Sequence, residues 1–373
     1  MYLLRNAQIY SPAPLGVCDV LVCHGKIVEI GKNLSPGISG LTEIDATGKY
    51  LVPGFIDQHV HVTGGGGEGG FHTRVGEIGL SSIIKAGVTT VVGLLGTDSF
   101  TRSVENLVAK TVSLSNEGIT SYCLTGAYRY PSDTVTGSVA KDIVYIDKVI
   151  GCKLAMADHR CSHPTKDEVI RLVSDIRMAS LVAGKPGVLH VHTGASPESI
   201  DMLIDIVKTT DIPIWHFRPT HLGRWPDKAI AFTRMGGYAD VTAKPDSAPL
   251  FYEMLKQANP ALLTLSSDSN GSLPVWNDKR EMIGIKAAEI STLYHSVRSL
   301  VQECGVPLEE ALPYITSNVA KALRLYPAKG TVAAGSDADL VLLDKALQVD
   351  SVLAMGRLML HEKQLLVKGT FEN

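Results

Sequence analysis

The segment Asp57-Gln58-His59-Val60-His61 closes an apolar run, Tyr50-Leu51-Val52-Pro53-Gly54-Phe55-Ile56. Residues two apart on a β-strand face the same way, so His59 and His61 present two imidazoles side by side. Neutral imidazole is the commonest side-chain metal ligand, and two from one strand supply half of a four-coordinate sphere. An isolated His-x-His is more often chance on an amphipathic strand. Here, however, candidate ligands recur downstream. Lys153 sits in Ile150-Gly151-Cys152-Lys153-Leu154-Ala155, and His192 closes a second His-x-His in Leu189-His190-Val191-His192. His221 follows Arg218-Pro219-Thr220, and Asp268 follows Leu263-Thr264-Leu265-Ser266-Ser267. A single lysine in an apolar strand ordinarily snorkels outward. Four sites near the ends of four later β-type runs are harder to credit to independent accidents. Directly after His61 comes Thr63-Gly64-Gly65-Gly66-Gly67-Glu68-Gly69-Gly70, a loop whose backbone can approach a ligand closely and which carries one carboxylate.

The elements that must position these groups follow from the punctuation of the chain. β-type runs are read at 51–61, 88–97, 121–128, 149–156, 187–193, 212–220, 238–243 and 262–267. Longer stretches between them carry helical spacing, notably 166–183 and 196–208. Eight strands, each followed by a helix, is the count of an α/β TIM (β/α)8 barrel, which gathers active-site residues at the C-terminal strand ends. Residues 1–49 and 327–373 read differently, as short alternating runs between turns. Neither end makes a core alone, so they are expected to pair into one small β-sandwich-like domain beside a barrel of residues 50–326.

Composition limits the function classes. The 373 residues carry a net charge of −3 with 20% charged residues, which favours neither a polyanion-binding surface nor a basic membrane patch. Six cysteines are scattered without a Cys-x-x-Cys pair, against a disulfide framework or a thiolate zinc site. The first residues lack a charged-then-apolar signal pattern, and no apolar run reaches spanning length. The expectation is a cytoplasmic enzyme with no nucleic-acid or membrane partner.

With these residues in place, the chain resembles the binuclear amidohydrolase superfamily. The likeness rests on Pro53-Gly54-Phe55-Ile56-Asp57-x-His59-x-His61, on Lys153, His192, His221 and Asp268, and on the closing segment Gly330-Thr331-Val332-Ala333-Ala334-Gly335-Ser336-Asp337-Ala338-Asp339-Leu340. Narrower motifs are similar to its isoaspartyl dipeptidase branch over essentially the whole chain. They include the loop ending in Glu68, Gly96-Thr97-Asp98, Thr125-Gly126-Ala127-Tyr128, Asp158-His159-Arg160, Pro219-Thr220-His221-Leu222-Gly223-Arg224 and Ser266-Ser267-Asp268-Ser269-Asn270-Gly271-Ser272. That branch has a glycine where Ser269 stands.

The resemblance implies two zinc ions, with His59, His61 and Asp268 on one, His192 and His221 on the other, and a carboxylated Lys153 (N6-carboxylysine) bridging them. It implies a bridging hydroxide as nucleophile, Tyr128 polarising the scissile carbonyl, and Asp268 shuttling the proton to the leaving amine. It gives Glu68 the substrate's α-amine and Arg160 and Arg224 its carboxylates, with Ser272, Gly66 and Thr97 assisting. Charge supports that count, because a β-aspartyl dipeptide carries one ammonium and two carboxylates. A homo-oligomer, an octamer among the candidate states, is also implied. Asp57 is expected to support the centre by orienting a ligating imidazole. His190 is expected inside the barrel as a hydrogen-bonded residue, one layer deeper than His192.

Two other readings compete. One is another amidohydrolase, such as a dihydroorotase-like cyclic amidase or an N-acyl-amino-acid deacylase. The other is a non-catalytic scaffold paralogue. Glu68 argues against the first, since those substrates present no free α-amine. The retention of all six ligand positions argues against the second.

Overall fold

The structure is a computed structural model describing residues 1–277 and 282–372. Its parallel strands are β6 (Phe55–Val60), β7 (Val88–Gly93), β8 (Thr120–Gly126), β9 (Val149–Ala155), β10 (Val188–His192), β11 (Phe217–Thr220), β12 (Ala239–Thr242) and β13 (Leu263–Ser266). A helix follows each of the first seven: α1 (Leu80–Lys85), α2 (Val104–Glu117), α3 (Val139–Tyr145), α4 (Lys166–Ala183), α5 (Glu198–Thr209), α6 (Pro226–Arg234) and α7 (Ala248–Leu255). After β13 an antiparallel hairpin, β14 (Ser272–Trp276) with β15 (Met282–Ala287), intervenes before α8 (Thr292–Gln302). Every residue of β6, β7, β9 and β10 is buried, as expected of parallel strands covered on both faces. The helix read over 166–183 spans Lys166–Ala183. It opens on a Thr165/Glu168 capping box and closes on Gly184 in the left-handed region.

Strands β6 to β11 form one six-stranded sheet in chain order, and β12 pairs with β13. The two sheets adjoin at β11–β12 and at β13–β6, where a parallel bridge joins Val60 to Ser269. Side chains do the joining that the backbone ladder does not. The buried Asp240 carboxylate on β12 accepts hydrogen bonds from Gln58 on β6 (2.7 Å), Thr220 on β11 (2.7 Å), and Thr264 (2.8 Å) and Ser266 (2.6 Å) on β13. One carboxylate thus ties four strands at the seam.

The chain ends build the other layer. A nine-stranded mixed sheet joins β1 (Tyr2–Tyr10), β2 (Pro14–Cys23), β3 (Lys26–Gly31), β4 (Thr42–Asp45) and β5 (Tyr50–Pro53) to β16 (Leu340–Leu343), β17 (Val349–Ala354), β18 (Arg357–His361) and β19 (Gln364–Leu365). The two ends meet where β5 pairs antiparallel with β16, and Leu4, Ile9, Val20, Leu51, Leu340 and Leu353 share one buried cluster. The single strand expected over 51–61 is therefore two strands. Tyr50–Pro53 belongs to the end sheet, and the parallel strands begin at Phe55. Gly54 makes the transition, where a β-carbon would lie 2.2 Å from the Thr89 hydroxyl oxygen. No helix among the described residues is long and apolar enough to cross a membrane.

Candidate metal centre and substrate pocket

The C-terminal ends of the parallel strands open into a cavity of about 770 Å³. At its floor, ligand-capable atoms of His59, His61 and Asp268 all lie within 4.8 Å of one another. Asp268 Oδ1 is 3.1 Å from His59 Nε2 and 3.2 Å from His61 Nε2, and its Oδ2 is 3.9 Å from His221 Nδ1. Lys153 Nζ lies 3.5 Å from His59 Nε2, and the His192 and His221 rings are 4.6 Å apart. The six side chains singled out in the sequence therefore converge. Two of them, His221 (φ 63°) and Asp268 (φ 55°), hold the left-handed conformation that non-glycine residues rarely adopt. Such strain persists where the surrounding structure fixes it, and it collects at functional sites.

Burial sets the protonation of the floor. It pushes Lys153 down to about 7, His59 to about 3 and His192 to about 4, and it holds His190 and His221 well below the usual histidine range. Burial thus favours the neutral form of these four imidazoles, the form that ligates metal, and the free amine of Lys153, the form that adds carbon dioxide. His61 Nδ1 is buried without a hydrogen-bond partner. The Nε2 atoms of His59 and His61 crowd against the Asp268 carboxylate, a nitrogen-and-oxygen donor set that fits divalent metal.

Neighbours orient these ligand candidates. His59 Nδ1 lies 3.0 Å from His190 Nε2, so the deeper histidine of the second His-x-His contacts the first motif directly. His221 Nδ1 is 2.7 Å from the Thr242 hydroxyl. Asp57, expected to steady an imidazole, instead accepts the backbone N–H groups of His59 and Ser267, both at 3.2 Å. It therefore links β6 to the segment after β13, and burial raises its carboxyl to about 7. Ser269 needs no glycine, because the positive φ angles fall on Asp268 and Asn270 either side of it. Its carbonyl accepts the His61 N–H at 2.9 Å.

The walls carry the residues expected to meet substrate. Gly66, Glu68, Thr97, Tyr128, Arg160, Arg224 and Ser272 all line the cavity. Glu68 accepts from Arg160 Nη1 at 3.1 Å and from the Ser272 hydroxyl, so an anion and a cation pair across the mouth. Arg224 is exposed and donates to the Gly194 carbonyl at 3.1 Å. Tyr128 is buried, with its hydroxyl 2.8 Å from His192 Nδ1 and its ring beneath the Arg160 guanidinium. His159 is exposed at the rim. Gly66 (φ +75°) could not carry a side chain, since a β-carbon would lie 2.4 Å from the Thr73 carbonyl oxygen.

Sequence reading passed over two residues. Arg102, nearly buried ahead of α2, donates to the carbonyls of Thr63 (2.9 Å), Gly65 (3.1 Å) and Val75 (2.8 Å) and so clamps the glycine-rich loop. No local pattern marks it. Asp158, quoted only as part of a motif, is 5% exposed and accepts from both Arg160 and His192. Burial alone would raise its carboxyl, but those hydrogen bonds hold it well below the usual range. Its position just past the end of β9, two residues from an arginine, was the available signal.

A strand-end cluster of three histidines with a fourth nearby, one carboxylate and a buried lysine on parallel βα units defines a class of metal-dependent hydrolases. A family model described as the amidohydrolase family matches residues 50–359, and the chain belongs to that family. Its fold is of the TIM-barrel type, with a mixed sheet drawn from both chain ends. Within the family, the chain is similar to a β-aspartyl dipeptidase from the thermophilic keratin degrader Fervidobacterium islandicum AW-1, solved in complex with β-Asp-Leu dipeptide. That structure is 40% identical, covers 98% of each chain and has a TM-score of 0.91. A second structure of a β-aspartyl dipeptidase from this organism is 38% identical over 98% of each chain, with a TM-score of 0.90. A dihydroorotase of Listeria monocytogenes is 27% identical over 219 residues, 57% of this chain, and the match spans only 50% of that relative.

Proposed function

We propose that this chain hydrolyses β-aspartyl (isoaspartyl) dipeptides, releasing aspartate and an amino acid. The observation that carries the reading is the wall of the cavity. It places one carboxylate, Glu68, among two guanidiniums, Arg160 and Arg224, above a floor of metal-ligating side chains. That charge pattern mirrors one ammonium and two carboxylates on a zwitterionic dipeptide. The structural likeness to a dipeptidase solved with β-Asp-Leu supports it. A dihydroorotase-like or deacylase reading leaves Glu68 without a partner, and a scaffold reading leaves the converged floor without a purpose.

His59, His61 and Asp268 are proposed to hold one metal and His192 and His221 a second, zinc in both cases, with N6-carboxylated Lys153 between them. Divalent metal there supplies Lewis-acid polarisation of a carbonyl and ionisation of water near neutral pH. The remaining work falls to the chain. Glu68 binds the α-ammonium, with Ser272 fixing its carboxylate, and Gly66 and Thr97 line that end. Arg160 and Arg224 hold the carboxylates and so set the scissile amide over the floor. The Tyr128 hydroxyl donates to the amide oxygen as charge develops there. Asp268 takes the proton from the attacking water and delivers it to the leaving nitrogen.

In the free protein the Glu68–Arg160 pair stands where substrate would bind. A zwitterionic substrate replaces both partners at once, ammonium for guanidinium and carboxylate for carboxylate, so no charge is left unpaired in the exchange. A substrate lacking either charge strands one of them.

The eight parallel strands are read as one closed barrel. The end sheet forms the accessory, sandwich-like domain of residues 1–49 with 327–373, and the strand pairing of Tyr50–Pro53 supports moving its boundary to Gly54. A cytoplasmic homo-oligomer, with no nucleic-acid or membrane partner, completes the proposal. The test is hydrolysis of β-Asp-Leu against α-Asp-Leu, dihydroorotate and N-acetyl amino acids, with metal content measured alongside. Preference for β-Asp-Leu with about two metals per subunit is expected. Preference for an N-acetyl amino acid or for dihydroorotate overturns the reading.

A further inference from the structure

Asp158 hydrogen-bonds to both halves of the site, which also share the Tyr128 side chain. Its Oδ1 accepts from the Arg160 backbone N–H and from Arg160 Nε, each at 2.9 Å. Its Oδ2 accepts from Arg160 Nη2 at 3.0 Å and lies 2.9 Å from His192 Nε2. Among the described contacts, Arg160 and His192 make no direct hydrogen bond with each other; Asp158 stands between them.

Two consequences follow from hydrogen-bond chemistry. An ionised carboxylate only accepts, so His192 carries its proton on Nε2 and keeps a lone pair on Nδ1. That nitrogen faces the Tyr128 hydroxyl, 2.8 Å away at the cavity wall. A carboxylate that fixes the tautomer and ring orientation of a ligating histidine is a recurrent support of metal sites. On the other side, Nε and Nη2 of Arg160 are committed to Asp158 in a forked pair, which locks the plane of the guanidinium. Nη1 is the nitrogen that faces Glu68.

We infer that Asp158 is a positioning residue that couples the metal-facing imidazole of His192 to the substrate-binding guanidinium of Arg160. Its Arg160 half rests on the dipeptidase reading above; its His192 half does not. The coupling explains why a substrate-binding arginine sits on the loop after β9, seven residues beyond Lys153. There one buried carboxylate can set the metal ligand and the substrate clamp to a common frame.

The test uses the full-length protein with Asp158→Asn, Asp158→Ala, Arg160→Ala and the double variant Asp158→Asn/Arg160→Ala. Asparagine keeps the volume but places an NH2 group against a donor, so either one of the two links breaks or His192 moves its proton to Nδ1. Zinc affinity, measured by chelator competition without any substrate, is expected to fall about 10- to 100-fold in both Asp158 variants. It should stay within about twofold of wild type in Arg160→Ala. KM for β-Asp-Leu is expected to rise in Asp158→Asn and in Arg160→Ala, with no further rise in the double variant, because the two act as a unit. Wild-type zinc affinity in both Asp158 variants, or KM effects that simply multiply, would overturn the coupling. A fall in Tm with zinc affinity and KM unchanged would reduce Asp158 to a loop-packing residue and also overturn it. If wild type does not turn over β-Asp-Leu, the dipeptidase reading fails with the Arg160 half, while the zinc measurement still judges the His192 half.

Discussion

The floor of the cavity is carried by strands and strand ends, and its mouth by loops; the two are stabilised by opposite means. On the floor, His59 is 1% exposed and Lys153 fully buried, and neighbouring strands fix each ring. At the mouth, the Glu68 and Arg160 side chains are 23% and 22% exposed and hold each other across a gap between two loops. A partly exposed ion pair of this kind contributes about 0–1 kcal/mol, so substrate can displace it. The floor instead gathers buried imidazoles and a carboxylate, a donor set that fits divalent metal. The floor is therefore built of buried groups fixed by neighbouring strands, and the mouth of partly exposed groups free to exchange partners.

The contrast breaks most visibly at Lys153. Lys153→Ala is expected to lose metal along with about three decades or more of kcat, since the charge stabilisation supplied at the floor is worth several kcal/mol. Short carboxylic acids should restore part of both by replacing the carbamate. Full metal content in the variant, or an unmodified Lys153 in high-resolution density of a metal-replete wild type, would refute the bridge.

Glu68→Gln probes the mouth alone. Removing one member of a desolvated charge pair costs roughly 2–5 kcal/mol, or about one and a half to four decades in kcat/KM for β-Asp-Leu. Both metals should remain bound. The same loss should appear in wild type when the substrate amine is acetylated, because the ammonium and its donors are gone. Equal cleavage of acetylated and free dipeptide would make a deacylase the better account.

The mildest effect sharpens the comparison at the hinge between floor and mouth. Arg102 holds three loop carbonyls but touches neither the candidate ligands nor Glu68. Arg102→Ala should cost about 1–3 kcal/mol of stability by freeing those carbonyls. It should also raise KM several-fold while leaving metal content and kcat close to wild type. A fall in metal content would show that the loop supports the floor as well.

Much of this was legible in the chain because the relevant rules are local. Period-2 alternation puts His59 beside His61 and His190 beside His192 whatever the rest of the fold does. The count of βα units then places Lys153, His192, His221 and Asp268 at the same end. The charges of Glu68, Arg160 and Arg224 told what kind of ligand the loops suit. Other features depended on residues distant in sequence. The strand read over 51–61 divides at Gly54 because β5 finds its partner in β16, nearly 300 residues away, and no local propensity records that pairing. Asp57 turns to backbone N–H groups, and Asp240 gathers four strands, because closing parallel strands brings together donors that lie far apart in the chain. Arg102 and Asp158 acquire their roles in the same way. Residue types and spacing decided which chemistry is possible, whereas the orientation and protonation of each group were decided by burial and by partners that only the folded chain supplies.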